Sequence, residues 1–425
     1  MRLLLIGLNY APEDVGVGKY TAELARWLVQ RGHVVTVITA PPHYPRWRIA
    51  DGYSRWWYRS ELLDGVEVIR CPMWMPRRLT AAQRILSTLS FALSSMSAQP
   101  GRTRRADLVL VIQPTLFSVP FAALLSALLR RPVWLHVQDF ELAAALGSGY
   151  LRSDGRLVRW AFRLEAWLLR RLDRVSTLGP QMDAHLAHCG VPPQRRAIVP
   201  NWVDCAQIRP LERASTFRAR LGIAPEIPVA LYSGTFGRKH GLELLIDVAR
   251  ALRGHRPLCF VLCGDGSEKP ALQAAAADLD NIIWLDLQPI EQLNELLNLA
   301  DIHLLPQQPE VAAAVLPSKL TGMLASGRPV VATAAPGSQL AEIVSSAGMA
   351  LPTRDVAAFA NALLRLSADA ALRQRLGAVA REHALTHFGK QPILERFEAA
   401  MAVLCTERGR MPTPPAPLSS ETFDK

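Results

Sequence analysis

The sequence predicts an α/β protein made of two Rossmann-like domains that face each other across a cleft. Apolar runs with the length of buried strands alternate with amphipathic helical patterns, and the alternation starts again near residue 229. The chain has 425 residues, which is more than one hydrophobic core usually supports. Both observations favour two domains, each with a largely parallel sheet covered by helices.

The first predicted domain, residues 1–205, opens in the order strand, loop, helix, strand. The apolar run RLLLIGL is typical of a strand buried on both faces, and a loop with two glycines follows it. The next helix places Tyr20, Leu24 and Leu28 on one face, and GHVVTVITA predicts the second strand. Further strands are predicted at 66–70, 108–112, 133–138 and 174–178.

The second predicted domain, residues 206–390, repeats this order. VALYSG, LCFVLCGDG, IIWLDL, DIHLLPQ and PVVATAAPG each predict a strand, and helices are predicted from residue 242 and over 290–299. A further helix at 391–405 could return to the first domain. The tail, residues 406–425, is rich in proline and polar residues, and it is therefore predicted to be disordered.

The charge is unevenly distributed along the chain. The net charge is +11, and residues 1–210 hold 27 Lys and Arg against 15 Asp and Glu, whereas the remainder holds 21 against 22. A basic first half suggests an anionic partner such as nucleic acid, a phospholipid surface or a phosphorylated substrate. The alternative is a solvated arginine-rich surface without a partner.

The cysteines and the N-terminal residues indicate the cellular compartment. The six cysteines form no C-x-x-C pattern, which favours buried thiols in a reducing compartment. The opening MRLLLIGLNY predicts a first strand rather than a secretory signal.

The apolar segment 108–129 is long enough to span a membrane. Pro114 and Pro120 instead favour a buried strand, a turn and a buried helix.

Loops that follow strands carry the candidate site, because ligands of open α/β sheets bind beyond the carboxyl ends of the strands. In the first such loop, Gly16 and Gly18 precede a helix and favour a phosphate site. The loop matches neither the G-x-x-x-x-G-K-[ST] pattern nor the complete G-x-G-x-x-G pattern. Glycines that merely form a tight turn remain the alternative.

The second domain offers three comparable segments. Arg238 and Lys239 stand at a strand-to-helix turn, where they could neutralise a diphosphate. Gly264 and Asp265 form a glycine turn that could border a bound base, and Ser318 and Lys319 precede a short helix. The alternatives are exposed surface cations, a simple turn, and an N-cap serine beside a solvated lysine.

Three residues at the end of one strand are candidates for catalysis. His136 lies within the predicted strand, and Asp139 and Glu141 follow at its tip. Carboxylates at such a tip could orient sugar hydroxyls or an attacking hydroxyl. His136 could also be a core residue whose ring nitrogens are satisfied by neighbours.

Seven segments occur in the order found in one known family. They are YAPEDVGVGKYTAELARWLVQRGHVVTVITAPP, PTLFSVP, LHVQDFE, VPNWVD, YSGTFGRKHGLE, CGDG and LPSKLTGMLASGRPVV. The chain thereby resembles glycosyltransferases of family four, which have the GT-B fold, and within them bacterial exopolysaccharide transferases of the colanic-acid type. The resemblance covers roughly residues 1–400.

The resemblance implies retaining transfer of a sugar from a nucleotide diphosphate donor, bound mainly by the second domain, to an acceptor on the first. The Gly16 loop would contact the donor diphosphate across the cleft. Arg238 and Lys239 would stand beside the diphosphate, and residues 318–322 beside the donor's sugar and ribose. Retention without an obvious protein nucleophile suggests attack on the face from which the leaving group departs.

The chain departs from the family's pattern at the donor site. Many members carry two glutamates eight residues apart, and the corresponding positions here are Ala314 and Gly322. Thr235 stands where an arginine is often found, and Arg238 could substitute for it. These departures bear on how ribose and sugar would be recognised. The lost glutamates also keep a non-catalytic scaffold open as an alternative. Another enzyme on the same fold, such as an epimerase or a phosphorylase, is a separate alternative.

The expected partners follow from composition and resemblance together. Residues 43–105 combine tryptophans with many arginines, and residues 77–96 could form an amphipathic interfacial helix. We therefore expect a lipid-linked glycan acceptor, an anionic inner-membrane surface and a cytoplasmic, peripheral location; a loop packed on its own domain is the alternative. No recognised nucleic-acid-binding module is visible, and no metal is expected. A nucleotide sugar is expected as co-substrate without a further cofactor.

Overall fold

The structure of the chain is a computed structural model that describes residues 1–13, 16–44, 47–76, 80–140, 155–255, 257–308 and 316–409. The chain divides into two compact units. Unit 1 comprises Met1–Pro200 together with the segment from Pro392 onward, and unit 2 comprises Asn201–Gln391. The sequence had predicted boundaries after residues 205 and 390.

Unit 1 contains an eight-stranded sheet. Its strands are β1 (Arg2–Gly7), β2 (Val34–Thr39), β3 (Arg59–Leu63), β4 (Val66–Arg70), β5 (Leu108–Gln113), β6 (Val133–Val137), β7 (Arg174–Thr177) and β8 (Arg196–Ile198). Their order is β3-β4-β2-β1-β5-β6-β7-β8, and every pair is parallel except β3 with β4. All six residues of β5 are buried, as a strand covered on both faces should be.

The helices described in unit 1 connect these strands. They are α1 (Gly16–Gln30), α2 (Ala81–Ala98), α3 (Pro100–Arg105), α4 (Val119–Leu128), α5 (Arg156–Leu169) and α6 (Pro180–His188). The apolar segment 108–129 thus forms a strand, a turn and a helix, as the two prolines indicated. Within the described part of the chain, no helix has both the length and the apolar character needed to cross a membrane.

Unit 2 contains a six-stranded parallel sheet. Its strands are β9 (Val229–Ser233), β10 (Cys259–Cys263), β11 (Ile282–Leu285), β12 (Ile302–Leu305), β13 (Val330–Thr333) and β14 (Gly348–Leu351), in the order β11-β10-β9-β12-β13-β14. The described helices of this unit are α7 (Thr216–Arg220), α8 (Glu243–Ala251), α9 (Lys269–Ala275), α10 (Leu293–Leu297), α11 (Lys319–Ala325), α12 (Gln339–Ala347), α13 (Val356–Ala368) and α14 (Ala370–His387).

The last described helix, α15 (Lys390–Glu407), begins in unit 2 and packs on unit 1. The Lys390 backbone N–H donates to the Val203 carbonyl at 3.0 Å. Further along, the Phe397 ring lies 5.2 Å from the Trp134 ring, centroid to centroid, and Glu398 Oε1 lies 2.5 Å from His33 Nε2. Unit 1 therefore takes part of its core from a segment at the far end of the chain.

Each sheet has a point where the strand order reverses. In unit 1 the chain runs from β1 outward to β2 and later returns to β5 on the other side of β1. In unit 2 it runs from β9 to β10 and β11 and returns to β12 on the other side of β9. The carboxyl ends of β1 and β5, and those of β9 and β12, are therefore the places where a doubly wound sheet binds a ligand. The predicted α/β class is confirmed.

Candidate functional site

In unit 1, a buried carboxylate holds the loop that follows β1. Glu13 is 4% exposed, and its Oε2 accepts a hydrogen bond from Asn9 Nδ2 at 2.8 Å. Its Oε1 accepts the backbone N–H groups of His43 at 2.7 Å and Tyr44 at 2.9 Å. Glu13 therefore joins the loop after β1 to the loop after β2.

The two predicted glycines stand at the start of α1, directly after this carboxylate. Gly16 has φ of +61°, a left-handed conformation that favours glycine. A Cβ atom on Gly18 would lie 2.9 Å from Glu13 Cβ and 3.0 Å from the Glu13 carbonyl oxygen. The space beside Glu13 thus requires a residue without a side chain at position 18.

A buried arginine also stabilises the loop after β1. Arg70, at the end of β4, is 1% exposed and donates from Nε to Glu61 Oε1 at 2.8 Å. Its two terminal nitrogens donate to the backbone carbonyls of Ala11 and Ala40. Arg70 thereby links the edge hairpin β3–β4 to both loops.

His136 lies inside β6 and is surrounded by partners. It is 3% exposed, with Nδ1 2.9 Å from Ser176 Oγ and Nε2 3.0 Å from Gln138 Nε2. An amide donor at Nε2 leaves the ring hydrogen on Nδ1, where it faces the hydroxyl. Burial lowers the pKa of His136 to about 4, so the ring is neutral near pH 7. This arrangement is that of a positioned core histidine, and a catalytic role for it stays a prediction.

The other two catalytic candidates differ in what the structure describes. Asp139 follows the end of β6 and is exposed at the carboxyl edge of the sheet. Glu141 lies outside the described residues. The proposed orienting role of both carboxylates therefore stays a prediction, with Asp139 in a position that a hydroxyl could reach.

In unit 2, Lys319 at the start of α11 contacts the end of β9 and the loop that follows it. Its Nζ donates to Tyr232 Oη at 2.8 Å and lies 4.2 Å from the centroid of the Tyr232 ring. Tyr232 Oη in turn donates to the Thr235 carbonyl at 2.7 Å, and burial raises the pKa of this phenol. A Cβ atom on Gly234 would lie 2.5 Å from Lys319 Nζ. The Lys319 side chain is thus held against Tyr232 by a hydrogen bond and a ring contact.

The loops after β9 and β10 interlock through glycines. A Cβ atom on Gly264, whose φ is +148°, would collide with the Gly234 carbonyl oxygen. The Phe236 N–H donates to the Asp265 carbonyl at 2.9 Å, and Asp265 Oδ1 accepts the next backbone N–H at 2.8 Å. The structure therefore brings Gly264, Asp265 and Lys319 together around the residues that follow β9.

The predicted basic pair lies farther along the same loop. Arg238 is exposed and opens a single turn, Arg238–His240, to which the backbone of Lys239 also belongs. Gly241 ends this turn, and a Cβ atom there would lie 3.3 Å from Gln308 Nε2 of the loop after β12. The loops on both sides of the strand-order reversal in unit 2 are therefore in contact.

The start of α11 differs from the simple capping arrangement. Ser318 makes no side-chain hydrogen bond to the helix, and its carbonyl accepts from Thr321 Oγ1 at 3.0 Å. At Gly322 a Cβ atom would lie 3.4 Å from Leu297 Cδ1, so this glycine fills a packed position on the helix. Ala314 lies outside the described residues.

Sequence reasoning missed the residues that hold these loops. Glu13, Arg70 and Tyr232 are buried, and each binds a segment distant in sequence. A carboxylate among the glycines after the first strand could have drawn attention to Glu13. Nothing in the local pattern marks Arg70, which ends an ordinary edge-hairpin strand. Among the described residues, no group of three or more His, Cys, Asp or Glu side chains could hold a metal ion, and the expectation of a metal-free site stays a prediction.

Two family models match the chain. A glycosyl transferase 4-like domain covers residues 15–202, and a domain of glycosyl transferases group 1 covers residues 227–369. The first therefore falls in unit 1 apart from its last two residues, and the second lies within unit 2.

One curated relative extends along nearly the whole chain. The chain is 35% identical over 406 residues to WcaI of Escherichia coli, a glycosyl transferase assigned to colanic acid biosynthesis. The alignment covers 93% of this chain and 98% of WcaI.

Solved structures agree with the fold. Sucrose-phosphate synthase of Thermosynechococcus elongatus matches with a TM-score of 0.75 and 18% identity, over 96% of this chain and 100% of that chain. Anabaena HepE, solved in complex with UDP-glucose, matches with a TM-score of 0.68 and 15% identity, over 95% of this chain and 100% of that chain. Both confirm the predicted GT-B fold. The chain belongs to the glycosyltransferases that combine a 4-like domain with a group 1 domain.

Proposed function

We propose that the chain transfers a sugar, with retention of anomeric configuration, from a UDP- or GDP-sugar to a lipid-diphosphate-linked oligosaccharide during exopolysaccharide assembly. One observation carries the donor assignment: Lys319 is fixed over Tyr232 and Gly234 at the strand-order reversal of unit 2. HepE supports it, because that protein of the same fold was solved with UDP-glucose. WcaI supports the exopolysaccharide pathway through its colanic acid assignment.

The donor site would work by stabilising the diphosphate leaving group. Negative charge grows on the diphosphate as its bond to the anomeric carbon breaks, and cations already held in place stabilise it without reorganisation. Lys319 is such a cation, and Arg238 on the neighbouring turn would supply a second. These charges would fill the role that a metal has in other transferases.

The acceptor reaction would occur at the carboxyl edge of unit 1. The acceptor hydroxyl oxygen forms a bond to the anomeric carbon on the face from which the diphosphate leaves, and the departing phosphate oxygen takes the hydroxyl proton. Asp139 would orient the hydroxyl, with Glu141 as a second carboxylate. His136 would act only through Gln138, because both of its ring nitrogens face protein atoms.

The membrane proposal rests on one face of the unit 1 sheet. Right-handed crossovers place α2, α4 and α5 on the same face, because the chain advances in one direction from β4 through β5 and β6 to β7. Exposed apolar side chains on these helices are Ile85, Leu86, Leu93, Leu124, Leu128, Trp160, Leu164 and Trp167. Eight exposed apolar side chains on the helices of one face are more than the single scattered hydrophobic residues of an ordinary surface.

The charges on this face favour an anionic bilayer. The only carboxylate on α2, α3, α4 and α5 is Glu165, and it is buried. Exposed arginines on or next to these helices are Arg84, Arg104, Arg105, Arg130, Arg159, Arg163, Arg170 and Arg171. Cations and interfacial aromatic rings together bind anionic lipid headgroups. Changing Trp160 and Trp167 to serine should weaken co-sedimentation with phosphatidylglycerol vesicles; unchanged sedimentation would exclude this surface.

Calorimetry tests the donor assignment. We expect one class among UDP-, GDP- and ADP-sugars to bind the wild-type protein, and we expect Lys319→Ala to weaken that binding by about tenfold to a hundredfold, as loss of a charged contact usually does. Lys390→Ala, a lysine at the start of α15, is the control. A folded wild-type protein that binds none of the three would contradict the proposal.

The absence of the family's paired glutamates favours a second candidate, a non-catalytic scaffold. The position of the second glutamate is Gly322, which packs against Leu297. A scaffold or an epimerase would not release nucleoside diphosphate in response to an acceptor. Release that requires a membrane lipid extract would therefore support the transferase and exclude both alternatives.

A further inference from the structure

Two oppositely charged side chains are buried beneath the loop after β1, where the reaction chemistry proposed above has no direct use for them. Glu13 joins Asn9 to the backbone of residues 43 and 44, and Arg70 binds the carbonyls of Ala11 and Ala40. Burying a charge is costly unless neighbouring groups satisfy it. Both charges here are satisfied mainly by backbone groups of the same two loops.

The contacts of Glu13 define the shape of the turn that leads into α1. Its carboxylate accepts three hydrogen bonds from donors on two loops, and its Cβ and carbonyl oxygen occupy the space beside Gly18. Tyr44, whose N–H binds Glu13, also places its ring 3.7 Å from where a Cβ of Gly16 would lie. The side chain thus contacts, directly or through Tyr44, each glycine of the turn.

We propose that Glu13 is a positioning residue for sugar transfer, which fixes the Gly16–Gly18 turn at the carboxyl edge of unit 1, where the acceptor reaction is proposed to occur. This inference rests on the proposed transferase function and adds to it a residue that does not touch substrate. Its effect should fall on turnover more than on donor affinity, because the main donor contacts are proposed to lie in unit 2.

Three variants test the proposal. Glu13→Gln keeps one oxygen acceptor and the length of the side chain, whereas Glu13→Ala removes both acceptors. Asp51→Asn is the matched control, since Asp51 is a highly exposed carboxylate of unit 1 that forms a surface pair with Arg48. We expect kcat to fall by about tenfold in Glu13→Gln and about a hundredfold in Glu13→Ala, with donor KM within about twofold of wild type.

Hydrogen–deuterium exchange gives a readout that does not depend on activity. Glu13→Ala should accelerate exchange in peptides that contain residues 43 and 44, because their N–H groups lose their acceptor. The strands β1 and β5 should exchange as in the wild type. Asp51→Asn should leave both regions unchanged.

The outcomes separate this inference from the function on which it rests. If the wild type releases no nucleoside diphosphate with any donor and lipid extract, the proposed function fails while the exchange result still tests Glu13 as the residue that holds the loop. If the wild type is active and Glu13→Ala keeps its kcat, the positioning role is wrong. A lower melting temperature with unchanged kcat would also overturn it, because it would leave Glu13 a purely structural role.

Discussion

The loops after β1 and after β9 occupy equivalent places in their two sheets but are held by opposite charges. In unit 1 the loop is held by hydrogen bonds to the carboxylate of Glu13. In unit 2 the ammonium group of Lys319 lies against the end of β9 and the loop that follows it. Both loops need glycines where the charged side chain, or a neighbouring loop, lies against the backbone. The two loops thus lie at equivalent ends of their sheets but are fixed by side chains of opposite charge.

The polarity that each loop can present follows from this difference. The Glu13 carboxylate accepts hydrogen bonds from three internal donors. Lys319 donates to the phenol oxygen of Tyr232, which in turn donates to a backbone carbonyl. A positive charge is therefore fixed beside the unit 2 loop, whereas the negative charge that holds the unit 1 loop is satisfied by internal donors.

The largest effect should come from breaking the glycine contact in unit 2. In Gly264→Ala the new methyl group would collide with the Gly234 carbonyl, and we expect unit 2 to lose about 4 kcal/mol or more of unfolding free energy together with donor binding. Gly254→Ala is the control, because Gly254 has φ of +78° with no neighbouring atom within 4 Å. It should cost only about 1 kcal/mol. Equal losses in chemical denaturation would show that backbone conformation, not the collision, matters.

An intermediate effect is expected from the buried arginine of unit 1. Arg70→Met removes the partner of Glu61 and the donors to Ala11 and Ala40, and loss of one member of a buried ion pair usually costs about 3–5 kcal/mol. Arg26→Met breaks the exposed pair with Asp64 and should cost about 1 kcal/mol or less. Urea denaturation of both variants measures the difference. A similar small loss in both would mean that Arg70 does not hold the unit 1 loops.

The smallest effect is a pH dependence of opposite sign in the two units. Burial raises the pKa of Glu165 in unit 1 from 4.5 to about 7, and neither carboxylate oxygen has a hydrogen-bond partner. The folded unit holds the proton more tightly than the unfolded chain, so its stability falls as the pH rises from about 4.5 to about 7. Glu165→Gln should abolish a loss on the order of 2 kcal/mol across this window.

Unit 2 should respond in the other direction. Burial lowers the pKa of His303 from 6.5 to about 3, so the stability that depends on the neutral ring is present above pH 6.5 and is lost as the pH falls below it. The difference between the unfolding temperatures of the two units, measured by calorimetry, should therefore change between pH 5 and pH 8. Identical shifts of both transitions, in the wild type and in Glu165→Gln, would contradict the contrast between the units.

The fold could be predicted because it depends on local periodicity. Buried strands such as β1 and β5 are continuous apolar runs that the sequence pattern reveals. The edge strand β3, only partly buried, carries no such run and was missed. The predicted helix at 290–299 is confined to Leu293–Leu297, after a single turn over Ile290–Gln292.

The candidate site was only partly predictable, because its support comes from contacts distant in sequence. Residue types and loop positions indicated Gly16, Gly18, Gly264 and Lys319, and the structure places the last two around one strand end. The partners of these residues could not be predicted from the sequence. Glu13 binds a segment 30 residues away, and Tyr232 binds Lys319 across 87 residues. A short pattern cannot specify such pairs. His136 was chosen by residue type and strand position, and burial with two partners is a property that only the folded core reveals.

The path of α15 has a consequence for the order in which the chain can fold during synthesis. Unit 2 is continuous from Asn201 to Gln391, so all of its residues are available as soon as that stretch has left the ribosome. Most of unit 1 is made first, but the Trp134 ring gains its contact with Phe397 only after α15 has been made. The nascent first half would therefore display an unfinished apolar surface while the second half completes its core. Unit 2 can therefore complete its core before unit 1 does, although unit 1 begins earlier in the sequence.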